Sequence, residues 1–216
     1  MRPHVTGNFF VALIFYLGLR FYRPGIRETR LSILTGLVIG LAMATRYYLF
    51  SAFLIPYCMF LYKRFVLEPS GPLTWKRIFA AGFHYRMILM GVCSIIGLFL
   101  GDPFLFLDFK SALPYLTSQA SFVSSSQFSV ASLFDLSLPW KYLTWVFPSA
   151  TGLLWIPFYG AFIFLLFDRP SRRYWAPVAV FSALYCFYAT KGYGLIAART
   201  LMPLFPLFAI LAALAL

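Results

Sequence analysis

From Leu31 to Tyr62 the chain runs for 32 residues with a single charge, Arg46, near the middle. A helix rises 1.5 Å per residue, so one unbroken helix here would be about 48 Å long. The apolar core of a bilayer is only ~30 Å thick. Fitting a single helix into it would need a tilt near ~50°, beyond the usual range. Two spans that turn back at Arg46 fit better, and Lys63 and Arg64 close the second of them. Composition points the same way. The chain is 62% hydrophobic and 11% charged, where soluble domains are about a quarter charged.

Further apolar runs lie at about Asn8 to Tyr22, Met87 to Leu100, Ala150 to Phe167, Trp175 to Thr190 and Leu201 to Leu216. The expected fold is all-α: a polytopic transmembrane helix bundle of about seven apolar spans, forming one domain over residues 1–216. One long loop, about 102–149, faces one side. Loops at about 20–30, 63–86 and 168–173 face the other. Alternating spans put Arg20, Arg23, Arg27, Arg30, Lys63, Arg64, Lys76, Arg77, Arg86, Arg169, Arg172 and Arg173 on the second side. Cations collect in cytoplasmic loops, so that side should be cytoplasmic and the Ser-rich loop should face outward. The same bias accounts for the formal net charge of +12 without nucleic acid as a partner. Cys58, Cys93 and Cys186 sit in apolar runs at no metal-like or disulfide-like spacing and read as buried thiols.

Three cations fall on the outward side, against the bias: Arg46 in "ATRYY", Lys191 in "ATKGYG" and Arg199 in "AARTLMPLFP". Each could snorkel to a lipid headgroup. Arginine also suits a phosphate held in a pocket, because its planar fork donates two parallel hydrogen bonds. Three such cations at equivalent boundaries favour a shared anionic site.

The stretch "TGLVIGLAMATRYYLFSAFLIPY" resembles the "G-L-x-x-G-L-A-x-x-T-K-Y" helix pair of GT-C glycosyltransferases, the protein O-mannosyltransferase and lipid A aminoarabinose transferase type, with Arg46 where that family has lysine. "GDPFLFLDFKSALPYLTSQ" is similar to its "x-P-F/Y-L-L-L-D" segment, which opens an outer loop with an interfacial helix. "ARTLMPLFPLFAILAA" is similar to its "R-Y-L-L-P-L-x-P" helix start. The resemblance implies a membrane enzyme that takes a sugar from a polyprenyl-phosphate carrier and transfers it, on the outer face, to a protein, lipid or glycan acceptor. It implies that Arg46 and Arg199 contact the carrier phosphate. Lys191 joins them by its expected location alone.

In that family the catalytic carboxylate lies in the first outer loop. Here only "MRPHVTGN" precedes the first apolar run, and it holds no Asp or Glu. The expectation is therefore a piece of a longer enzyme, with Met1 an internal start. Of the six carboxylates, Glu28, Glu68 and Asp168 fall among cytoplasmic cations and should pair with them. Asp102, Asp108 and Asp135 face outward. Asp102, between Gly101 and Pro103, reads as a turn residue. Asp108 lies two residues before Lys110. If one of the three carries chemistry, Asp102 or Asp108 is favoured, since they open the loop over the cavity. No metal site is visible, no cofactor is called for, and a divalent cation stays open.

The Ser-rich segment Thr117 to Ser132 reads as an interfacial loop, and His84 as an interface residue. The location expected is a bacterial or archaeal plasma membrane. Two rivals to the transferase remain: a transporter or flippase of an anionic lipid-linked substrate, and a noncatalytic membrane subunit.

Overall fold

A chain segment that leaves water must satisfy its backbone groups internally, and a helix does so within one segment. The structure, a computed structural model, describes residues 3–45, 47–68, 74–114, 117, 140–141, 144–145, 148–149, 152–167, 173–182, 204, 207 and 209–210. Every regular element among these residues is helical.

Helix α1 spans Pro3–Arg20. A turn at Pro24 and Gly25 follows, with Gly25 in the left-handed region at φ 75°. Helix α2 spans Glu28–Thr45. A 3-10 stretch, Tyr47–Phe53, leads into α3, Leu54–Tyr62. Pro56 is tolerated because it lies in the first turn of α3, where an amide has no helical acceptor. A π-turn, Lys63–Leu67, ends this hairpin arm. Helices α4 (Trp75–Gly82), α5 (Tyr85–Gly101) and α6 (Phe104–Leu107) follow, and later α7 (Trp155–Phe167).

Three helical stretches are long and apolar enough to cross a membrane: Glu28–Thr45, Leu49–Leu67 and Phe79–Gly101, with a shorter apolar helix at Thr6–Arg20. The long central run is thus divided between two membrane-length stretches, one ending at Thr45 and the next starting at Leu49, as its length demanded. The later apolar runs, 150–167, 175–190 and 201–216, lie partly outside the described residues. The segment 63–86, expected as a loop, is instead largely helical. It holds the π-turn and α4, and the third membrane-length stretch starts inside it. The reason lies in α4's own pattern. Trp75, Phe79 and Phe83 recur every four residues and are exposed, and Lys76 lies beside them. An amphipathic helix of this kind rests in the plane of an interface.

The core joins α1, α2, α3 and α5 through Val11, Phe15, Ile39, Ala42, Ile55, Met59, Phe60 and Met90. Val178 and Phe181 in the helical stretch 173–182 join the same core, as do Leu204 and Leu207. The α2–α5 seam is the closest approach. A Cβ on Gly36 would strike the Met90 carbonyl oxygen, and one on Gly97 the Leu37 carbonyl oxygen. One on Gly40 would strike the Ser94 carbonyl oxygen and lie 2.5 Å from the Leu98 amide nitrogen. Along the seam Gly36 lies against Met90 and Cys93, Gly40 against Gly97, and Gly101 against Ala44, a small-residue pattern that lets two backbones touch where lipid supplies no hydrophobic drive. The opposite face of α5 exposes Ile88, Val92, Ile95, Ile96 and Leu100. So large an apolar face is at odds with water and matches hydrocarbon.

Candidate functional site

The helices alternate in direction, which sorts the charged residues. One end gathers the start of α2, the end of α3 and the start of α5. Glu28 opens α2, where the helix dipole favours an anion, and Lys63 and Arg64 follow α3, where it favours cations. Lys63 Nζ donates to Glu28 Oε1 at 2.6 Å and lies 3.6 Å from Glu68 Oε1. Arg86, in the first turn of α5, pairs with Glu28 Oε2, and Arg64 approaches the same oxygen at 3.9 Å. Three cations thus share one carboxylate. Lys63 is 8% and Glu28 14% exposed at their side chains, so neither charge is well hydrated.

An open basin of about 670 Å³ lies against this cluster, lined by Ile26, Arg27, Glu28, Thr29, Arg30, Arg64, Glu68 and Arg86. Near it, the Tyr22 hydroxyl donates to the Arg173 carbonyl oxygen at 2.7 Å, pinning the 173–182 helix to the same end. His84 caps α5: its Nδ1 accepts from the Arg86 amide at 3.3 Å, and its ring lies 5.4 Å from Phe60. The expected pairing of Glu28 and Glu68 with basic residues is therefore present. Asp168 lies outside the described residues.

The other end holds the break between α2 and α3 and the end of α5. A Cβ on Gly101 would come 2.5 Å from Ala44 Cβ, so the last turn of α5 abuts the last turn of α2. Asp102 follows directly. It is half-buried, and its amide donates to the Leu98 carbonyl at 2.8 Å, closing α5. Asp108 is exposed; its amide donates to Phe104 O at 3.0 Å, and its carbonyl accepts from the Ser111 and Ala112 amides at 3.1 and 3.0 Å. Both aspartates thus punctuate helices. Between and beyond them, Phe104, Leu107 and Phe109 are exposed, as on an interfacial segment.

The expected phosphate contacts Arg46, Lys191 and Arg199 all lie outside the described residues, as do Asp135 and most of the Ser-rich segment. Asp102 is placed at the end of the molecule where α2 breaks off at Thr45. Cys58 and Cys93 are free thiols, Cys93 buried and Cys58 half-buried; Cys186 lies outside the described residues. Among the described residues no three of His, Cys, Asp and Glu cluster closely enough to hold a metal ion. The basin at the basic end is the feature that reading the sequence missed. Its signal was the pairing of Arg27 and Arg30 with the sharp turn before α2. No family model, curated protein or solved structure matches the chain.

Proposed function

We propose that the chain acts within a membrane glycosyltransferase that moves a sugar from a polyprenyl-phosphate carrier to a protein, lipid or glycan acceptor on the outer face of the membrane. The observation that carries the reading is the meeting of two helix ends. Helix α2 ends at Thr45 within the long apolar run, and the close of α5 beside Ala44 sets Asp102 at that same end, opposite the basic residues. Under the positive-inside rule the basic end is cytoplasmic, so the break and Asp102 face outward. The ordered resemblance of three segments to GT-C enzymes supports the same assignment.

In this reading Arg46, Arg199 and Lys191 hold the carrier phosphate. Arginine forks neutralise the phosphate that departs as the sugar is transferred, which stabilises charge where it develops. A carboxylate must accept the acceptor's proton as the new bond forms. Asp102 and Asp108 are the outward candidates within the described residues, and both also shape the backbone.

The test is sugar transfer by protein purified from the complete reading frame, with a panel of polyprenyl-phosphate sugars. Arg46→Ala and Arg199→Ala are each expected to lower the rate by a factor of about 100 or more, in line with loss of a charge-stabilising contact, at unchanged protein yield. Normal transfer by both variants removes the phosphate assignment. No transfer from any donor by the wild type favours a transporter or a noncatalytic subunit.

A further inference from the structure

The basin at the basic end is separate from the outward site and needs its own account. Its walls carry Arg27, Arg30, Arg64 and Arg86 against two carboxylates, Glu28 and Glu68. Lys63 stands behind them on Glu28. With both glutamates ionised, five cations face two anions among the described residues, a surplus of positive charge. Arg64 and Arg86 are already drawn to Glu28. Arg27 and Arg30 are exposed, line the basin, and make no ion pair among the described residues.

The backbone adds to this. Arg27 O accepts from the Leu31 amide at 3.1 Å, so Arg27 is the residue before the first helical turn of α2. The amides of Glu28, Thr29 and Arg30 then have no acceptor within the helix, and these three residues line the basin. Arginine forks beside first-turn amides form a phosphate-binding arrangement.

Depth points to the class of ligand. The basin lies where the apolar part of α2 begins and that of α3 ends. Amphipathic α4, with Trp75, Phe79 and Phe83 exposed, follows the same end of α3, and its Gly82 lies beside Tyr57. That is the level of lipid headgroups.

We infer that the basin formed by Arg27, Arg30, Arg64, Arg86 and the first turn of α2 is a phosphate-binding site on the basic face, taking the phosphate of an anionic lipid headgroup or of a small phosphate ester. The inference stands without the transfer reaction.

The test uses the full chain in nanodiscs of phosphatidylcholine alone or of equal parts phosphatidylcholine and phosphatidylglycerol. Lipid retention is read by native mass spectrometry. Glycerol phosphate and inorganic phosphate are titrated separately in the neutral discs, with thermal stability as the readout. Arg27→Gln/Arg30→Gln is compared with Arg23→Gln/Lys76→Gln, a variant that removes the same charge from the same end but outside the basin.

Phosphatidylglycerol retention about tenfold weaker in the basin variant than in the control variant supports a headgroup site. Stabilisation of the wild type by glycerol phosphate or phosphate, absent in the basin variant, supports a small phosphate ester. Equal losses in both variants mean diffuse surface attraction and overturn the proposal. So does unchanged binding of every probe. If the double variant folds poorly, Arg27→Gln and Arg30→Gln singly decide. Each is expected to weaken binding about threefold, and no loss in either overturns the site.

Discussion

Glu28 is the residue on which the basic end depends. It opens α2 and accepts from Lys63 of the π-turn and Arg86 of α5, so one carboxylate ties three elements together. Removing it strands Lys63, a cation only 8% exposed at its side chain. Glu28→Gln is expected to lower stability in detergent by about 2–3 kcal/mol. The loss falls below that of a fully buried pair because Arg64 and Arg86 keep 36% and 22% side-chain exposure. Lys63→Met in the same protein should recover part of the loss, with a coupling of about 1–2 kcal/mol in the double-mutant cycle. Purely additive effects would show that the pair is incidental. The sequence marked Glu28 and Lys63 as neighbours of one membrane face, since both flank long apolar runs. It could not show that they touch, because that depends on how far each helix is rotated about its axis. The split of the long run shows the reverse: that α2 ends at Thr45 and a new helical stretch starts by Leu49 followed from length alone.

Among the helices, α2 and α5 set the tightest tolerance. Their glycines let carbonyl and amide groups of the two backbones meet, so an added methyl cannot be absorbed by a side-chain rotation. Gly40→Ala is expected to cost about 1–3 kcal/mol, as overpacking against fixed neighbours does. Gly91→Ala on the same α5 has no atom within 4 Å of its new methyl. It should stay within about 0.5 kcal/mol of wild type. Thermal melts of the two proteins side by side check this; equal changes in both would mean that the seam does not set the tolerance, since helix propensity alone favours alanine at either site. The four-residue glycine spacing was present in the sequence of both helices. Its partner was not, because every apolar run offered a lipid-facing alternative. Helix α4 was hidden for another reason. Eight residues with cations near the start read as a polar connection until their aromatics are seen on one side.

Across the whole molecule, charge and direction agree. Helix α2 has 18 residues and is about 27 Å long. That nearly matches the bilayer core, so an α2 that crosses the membrane sets its two ends at opposite surfaces. In a background with Cys58, Cys93 and Cys186 replaced by serine, Asp108→Cys is expected to react with an impermeant maleimide on intact cells. Arg23→Cys should react only after the membrane is opened. Labelling of both from the same side would overturn the orientation and with it the outward placement proposed for sugar transfer. The α2–α5 seam has one more consequence, for synthesis rather than for the finished fold. During translation α2 leaves the ribosome well before α5, so Gly36 and Gly40 enter the bilayer with no helix to press against. The hairpin of α2 and α3 must therefore wait in the membrane, open along its glycine stripe, until Gly97 and Gly101 have been made.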